Sequence, residues 1–125
     1  MGCGIACTAS AAGLSYKQMK KHFVDASEKE HTTGFYNKDI VAAFKEVGMQ
    51  AKGCSIQRWG DRKMEVGTIV FVERSKKYPE GHFLLKTSKG WMNPWINFPS
   101  ITPAKAGFQK KLPGRVEWVI ETSKI

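Results

Sequence analysis

Three side chains that could form a nucleophilic site occur in the chain order Cys, His, Asn. Cys3 begins Cys-Gly-Ile-Ala-Cys, His82 lies in Gly-His-Phe-Leu-Leu, and Asn93 lies in Trp-Met-Asn-Pro-Trp. A thiol nucleophile needs a base, and the base needs a third group that orients it. The sequence therefore predicts acyl-transfer chemistry, with Cys3 as the nucleophile, His82 as the base and Asn93 as the group that holds the imidazole.

Each of the three residues also has a non-catalytic interpretation. Cys3 can be a small hydrophobe in a disordered terminus, His82 a structural residue at the start of a strand, and Asn93 a residue that turns the chain before a proline. His22 and His31 are competing bases, but a Lys-rich helix and a polar loop predict surface positions for them.

The thiol of Cys3 is predicted at the start of a helix, where unpaired N–H groups and the helix dipole favour the thiolate. Gly4 leaves room for a substrate backbone. We expect Gly4 to line the substrate site together with Gly81, Trp91 and Trp95. The two tryptophans flank Asn93 in the sequence.

Hydrophobic periodicity and turn residues predict helices first and strands second. The predicted helices span residues 3–12, 16–24 and 37–48, the strands 49–54, 68–73, 82–87 and 116–121, and the main loops 25–35 and 55–66. This order predicts one α+β domain over residues 1–125, with N-terminal helices packed on an antiparallel sheet.

Composition limits the classes of partner. The net charge of +9, from 20 basic and 11 acidic residues, favours an acidic partner. Nucleic acid is not expected, because no binding motif accompanies the charge. No apolar run approaches the roughly 20 residues of a membrane span.

With three cysteines and no basic residue before Lys17, we expect reduced thiols, no secretory signal and a cytoplasmic location.

Neither a metal site nor a cofactor site is predicted. Cys3, Cys7, Cys54 and one histidine could in principle bind zinc, but the chain has no Cys-x2-Cys pair and no His-x3–5-His pair. Phosphate-binding glycine motifs are also absent from the sequence.

Taken together, these segments resemble the papain-like cysteine peptidases, and in particular the bacteriocin-processing (double-glycine) branch. That family opens its first helix with Asp-Cys-Gly-x-Ala-Cys, places its base in a Gly-His-Phe-apolar strand, and usually has its third residue in an Asp-Pro pair, where this chain has Asn93-Pro94. The resemblance covers roughly residues 2–98. It implies a papain-like fold and cleavage of a peptide or isopeptide bond by Cys3, His82 and Asn93, with Cys7 buried.

The chain departs from the family before the nucleophile. The family places an oxyanion-hole Gln there, whereas only Met1 and Gly2 precede Cys3. The start could be truncated, the Gly2 ammonium could serve, or another glutamine could substitute. The candidates for substitution are Gln18, Gln50 and Gln57.

Other functions remain open at this stage. A scaffold that lacks the oxyanion donor could be a catalytically impaired binding module for an acidic partner. Deamidation would use the same triad. Met1-Gly2-Cys3 also resembles the start of acylated membrane adaptors, although Ala6 stands where the common myristoylation pattern requires Ser or Thr.

Overall fold

The computed structural model of the chain describes residues 3–23, 37–79, 81–94 and 106–124, without the side chains of Cys3, Asn37 and Lys124. The helices in this part are α1 (Cys3–Ala12), α2 (Tyr16–Lys20), α3 (Asn37–Glu46) and α4 (Ile56–Trp59). The strands are β1 (Met49–Ser55), β2 (Ile69–Val72), β3 (His82–Thr87), β4 (Gly90–Asn93), β5 (Gly107–Gln109) and β6 (Val116–Lys124).

The strands form one sheet in the order β1-β6-β2-β3-β4-β5, and all neighbours are antiparallel. Strand β6, the last in the chain, pairs with both β1 and β2. Strands β2, β3, β4 and β5 follow one another in space as they do in sequence. The predicted α+β class with an antiparallel sheet is therefore confirmed.

Helix α1 is mostly buried, as its Ala-rich and apolar sequence predicts. Ile5, Cys7 and Ala9 are buried in the main core. The helix ends before Gly13, whose φ of +74° is a left-handed conformation that glycine adopts without steric cost. Helix α1 packs against β3, α2 and α3.

The two faces of the sheet belong to two apolar clusters, because successive side chains of a strand point to opposite sides. The first cluster joins α1 and α3 to one face and includes Phe83 and Leu85. The second covers the other face and includes Leu84, Val70 and Trp59 of α4. His82 lies two residues before Leu84, so its side chain belongs to the second face.

Some local predictions were wrong. The predicted loop 55–66 begins with α4, because the Ser55 hydroxyl caps it by accepting from the Arg58 N–H (3.3 Å). Trp59 is buried there, and its indole N–H donates to the Arg62 carbonyl (2.8 Å). Helix α2 ends at Lys20, earlier than predicted, and β4 and β5 were not predicted. The predicted loop 25–35 lies outside the described residues.

In the described ranges, no helix is both long enough and apolar enough to cross a lipid bilayer.

Candidate active site

The backbone before His82 adopts a conformation that only glycine fits. Gly81 has a φ of +79°, and a Cβ there would overlap the Phe71 ring and approach the Val72 carbonyl oxygen to 2.9 Å. Gly81 therefore allows the chain to enter β3 directly against β2. His82 follows as the first residue of β3, paired with Val72 and fully buried.

A tight turn brings Tyr78 back over His82. The Tyr78 N–H donates to the Ser75 hydroxyl (3.1 Å), and the Gly81 N–H donates to the Tyr78 carbonyl (2.9 Å). The phenol ring is fully buried and stacks on the imidazole, with centroids 4.1 Å apart and planes within 2°. One face of the imidazole is thus held by an aromatic ring.

Asn93, the last residue of β4, contacts the edge of the same imidazole. Its Oδ1 lies 2.6 Å from His82 Nε2, and the amide is almost completely buried. Its Nδ2 donates to Tyr78 Oη (3.1 Å) and to Gln109 Oε1 (2.9 Å). Since both amide hydrogens are used in this way, Oδ1 faces the imidazole as an acceptor, and His82 Nε2 carries the proton.

The other ring nitrogen of His82 is left with an open lone pair. Nδ1 is buried and has no hydrogen-bond partner within the part of the chain that the structure describes. A neutral imidazole with its proton on Nε2 can accept a proton at Nδ1. This is the state that a general base requires before it acts.

The environment of His82 disfavours the charged form of its imidazole. Burial is the main cause, and it lowers the pKa of His82 below its ordinary value of 6.5. The positive charge of Lys77 lowers the pKa further, whereas the hydrogen bond with Asn93 acts in the opposite direction. Protonation of the ring is therefore less favourable than protonation of an exposed histidine.

The predicted nucleophile is described only by its backbone. Helix α1 begins at Cys3, as expected, while the Cys3 side chain lies outside the described residues. Helix α1 packs on the face of the sheet that carries Phe83 and Leu85, whereas His82 points to the other face. Helix α1 and the His82 side chain therefore lie on opposite faces of the sheet, and contact between the Cys3 thiol and His82 stays a prediction.

The residues predicted to line a substrate site are mostly enclosed. Gly4 and Gly81 are buried, and the Gly81 backbone has a packing reason to be glycine. Trp91 is buried in the second apolar cluster, with Lys86 Nζ 5.4 Å from its ring centroid. Trp95 lies outside the described residues. Substrate contact stays a prediction for all four.

The competing bases do not share this environment. His22 is half-buried, and its Nδ1 lies 3.8 Å from Glu46 Oε1. Its partner is thus an acidic side chain near the surface, in agreement with the predicted surface position. His31 lies outside the described residues.

His82, Asn93, Tyr78 and Gln109 form a polar group that we call the His82 cluster. None of the three glutamines considered as oxyanion donors belongs to it. Gln18 closes the capping box of α2 by accepting from the Ser15 N–H (2.9 Å). Gln50 and Gln57 are exposed on β1 and α4. The glutamine that does reach the cluster is Gln109, and its Nε2 donates to the Lys111 carbonyl (2.6 Å).

Tyr78 and Gln109 are the members of the cluster that sequence reasoning missed. Tyr78 lies in a charged turn, and Gln109 in a three-residue strand beyond several prolines. Neither position belongs to a motif. The one local signal is the Ser75-to-Gly81 spacing, which can close a turn.

Across the described ranges, no group of three or more His, Cys, Asp and Glu side chains is placed to hold a metal ion. Cys7 lies in the main core and Cys54 beside the second cluster. No protein-family model matches the chain, and no curated protein or solved structure is significantly similar to it.

Proposed function

We propose that the chain is a papain-like cysteine hydrolase that cleaves a peptide or isopeptide bond, with Cys3 as the nucleophile, His82 as the general base and acid, and Asn93 as the orienting residue. One observation carries the proposal. The His82 imidazole is bound at Nε2 by the amide oxygen of Asn93, while its buried Nδ1 has no hydrogen-bond partner among the residues that the structure describes. A structural histidine would be expected to use both nitrogens when buried.

The reaction would proceed by acyl transfer. The Cys3 thiol gives its proton to His82 Nδ1, and the sulfur attacks the substrate carbonyl carbon. His82 then returns the proton to the leaving amine as the C–N bond breaks, which leaves a thioester on Cys3. A water molecule, deprotonated by His82, hydrolyses the thioester and restores the thiol. Asn93 keeps the ring oriented in every step.

Two structural conditions must hold for this reaction. The sulfur of Cys3 must reach His82 Nδ1, although α1 packs on the opposite face of the sheet. The groups that cover His82 must also move when substrate binds, because the ring has no solvent-exposed surface. Closed sites of this kind depend on a conformational step that opens them.

Substrate and location follow from the charge and the thiol. The net charge of +9 favours a peptide or protein substrate that carries acidic residues. Free thiols persist in reducing compartments, and we place the protein in the cytoplasm for that reason. The expected contacts are Gly4, Gly81, Trp91 and Trp95.

The proposal is tested with a peptide that carries a thiol-directed electrophile, followed by intact-mass measurement. We expect one adduct on Cys3 of the wild type and none on Cys3→Ala. His82→Gln should react at least about 100-fold more slowly, which is the usual effect of losing a general base. His22→Gln is the matched control, because it removes an imidazole outside the cluster, and it should react as the wild type does.

Two outcomes would refute the hydrolase. One is equal reaction of His82→Gln and wild type, which would mean that His82 does not activate the thiol. The other is failure of the wild type to form any adduct or release any product with a panel of peptides. That result, combined with saturable binding of an acidic peptide, would support the alternative of a catalytically impaired binding module.

A further inference from the structure

The polar cluster around His82 is a chain of hydrogen bonds that has a direction. It begins at the main-chain carbonyl of Lys111, which can only accept. Gln109 Nε2 donates to that carbonyl at 2.6 Å, and this turns Gln109 Oε1 toward Asn93. Asn93 Nδ2 donates to Oε1 at 2.9 Å, and this turns Asn93 Oδ1 toward His82 Nε2 at 2.6 Å.

Reversal of any link would place like groups together. If the Asn93 amide turned over, its Oδ1 would face Gln109 Oε1, and two acceptors would meet. If Gln109 also turned over, its Oε1 would face the Lys111 carbonyl oxygen, with the same result. Among the described residues, the main-chain carbonyl therefore favours this orientation of both amides.

Tyr78 does not supply this direction. Its hydroxyl accepts from Asn93 Nδ2 at 3.1 Å, but a hydroxyl can donate as readily as it accepts. The contribution of Tyr78 is its ring, which lies parallel to the imidazole at 4.1 Å and fixes the plane of His82.

We propose that Gln109 is a positioning residue that selects the tautomer of His82, through Asn93, by carrying the direction of the Lys111 carbonyl to the imidazole. The selected tautomer has its proton on Nε2 and its lone pair on Nδ1. For catalysis this inference rests on the proposed function, since only a base that acts at Nδ1 needs that tautomer. As a statement about proton position it is independent of any activity.

The test measures the tautomer directly, by heteronuclear NMR of the His82 ring nitrogens in a Cys3→Ala background. There the ring is neutral near pH 8, and no thiolate affects the signal. The Cys3→Ala protein with Gln109 unchanged, which is the parent for the other variants, should show the proton on Nε2. Gln109→Met keeps the length of the side chain but removes its acceptor. It should raise the ratio of the Nδ1–H to the Nε2–H tautomer about fivefold or more, as loss of one net hydrogen bond permits.

Two further variants separate direction from packing. Gln109→Glu loses the N–H that donates to the Lys111 carbonyl, but both carboxylate oxygens accept, so Asn93 still meets an acceptor and the parent tautomer should be retained. Tyr78→Phe retains the stacked ring and removes only the hydroxyl, so the tautomer should also stay as in the parent. Both variants test the role of the Gln109–Asn93 hydrogen bond even if Gln109→Met is poorly folded.

An unchanged tautomer in Gln109→Met would overturn the inference. So would a change in Tyr78→Phe as large as in Gln109→Met. With Cys3 restored, Gln109→Met should slow labelling by the electrophilic peptide about fivefold, and Gln109→Glu should recover it. If labelling fails in every protein but the tautomers behave as expected, the hydrolase is wrong and the positioning role stands.

Discussion

Gly81 and Gly48 form a matched pair that separates backbone strain from packing at the entry to the candidate site. Both have a φ of +79°. A Cβ on Gly48 would meet nothing within 4 Å, whereas a Cβ on Gly81 would meet the Phe71 ring and the Val72 carbonyl at less than 3 Å. The perturbation is the same Gly→Ala change at each position, so any difference between the variants comes from the neighbours.

The expected magnitudes follow from these two terms. The left-handed conformation costs a residue with a Cβ about 1–2 kcal/mol, and this cost is common to both variants. The gain from a less flexible unfolded chain, about 0.4–1 kcal/mol, is also common. Gly81→Ala alone forces atoms into a filled space, which typically costs a further 1–3 kcal/mol or so. We expect it to lose about 1–3 kcal/mol more than Gly48→Ala.

The assay is urea unfolding of the wild type and of both variants, monitored by tryptophan fluorescence, with equal m-values as the condition for comparison. Peptide-probe labelling of the folded variants is measured in parallel. Equal stabilities would refute the packing argument. If Gly81→Ala were as stable as Gly48→Ala but failed to react, Gly81 would instead be assigned to substrate contact.

Three other predictions concern the proposed triad. Asn93→Ala should slow labelling far less than His82→Gln, because Asn93 only orients a ring that still has its stacked partner; equal losses would contradict this. In the folded protein Cys3 should react with brief iodoacetamide faster than the buried Cys7 or the half-buried Cys54, as peptide mapping would show, and equal labelling would count against an activated thiol. In Cys3→Ala, the unfolded chain binds more protons at His82 than the folded chain does, because burial lowers the folded pKa. Stability should therefore fall as pH drops below about 6.5, and His82→Gln should remove that loss in thermal unfolding; an unchanged pH dependence would refute it.

Much of the framework could be predicted because local signals and tertiary packing agree in it. Helix α1 has apolar residues along its length and a glycine at its end, and its predicted span is the observed one. Strands β2 and β3 have continuous apolar residues between turn signals. Helix α4 was missed because four residues are too few for a periodic pattern. Strand β5 was missed for the same reason.

His82 and Asn93 could be proposed as partners from the sequence because each lies in a recognisable local motif. The hydrogen bond from Asn93 to Gln109 could not be predicted in this way. His82 and Asn93 lie 11 residues apart on a hairpin, and their hydrogen bond is what an antiparallel pair of strands can produce. Gln109 reaches Asn93 only because β5 pairs with β4. Neither strand carries a residue pattern that specifies this pairing.

Most polar groups of the His82 cluster have hydrogen-bond partners, but one nitrogen of His82 has none among the described residues. This difference favours a chemical role for His82. Burying the Asn93 amide and the phenol of Tyr78 is tolerable because they bond to each other and to their neighbours. Nδ1 of His82 has no such partner in the described part of the chain. An unsatisfied buried nitrogen costs about 1–3 kcal/mol, and an apolar residue on this face, beside Leu84, would avoid that cost. A base that is about to receive a proton must leave this nitrogen open, so the cost falls at the atom where the proposed reaction begins.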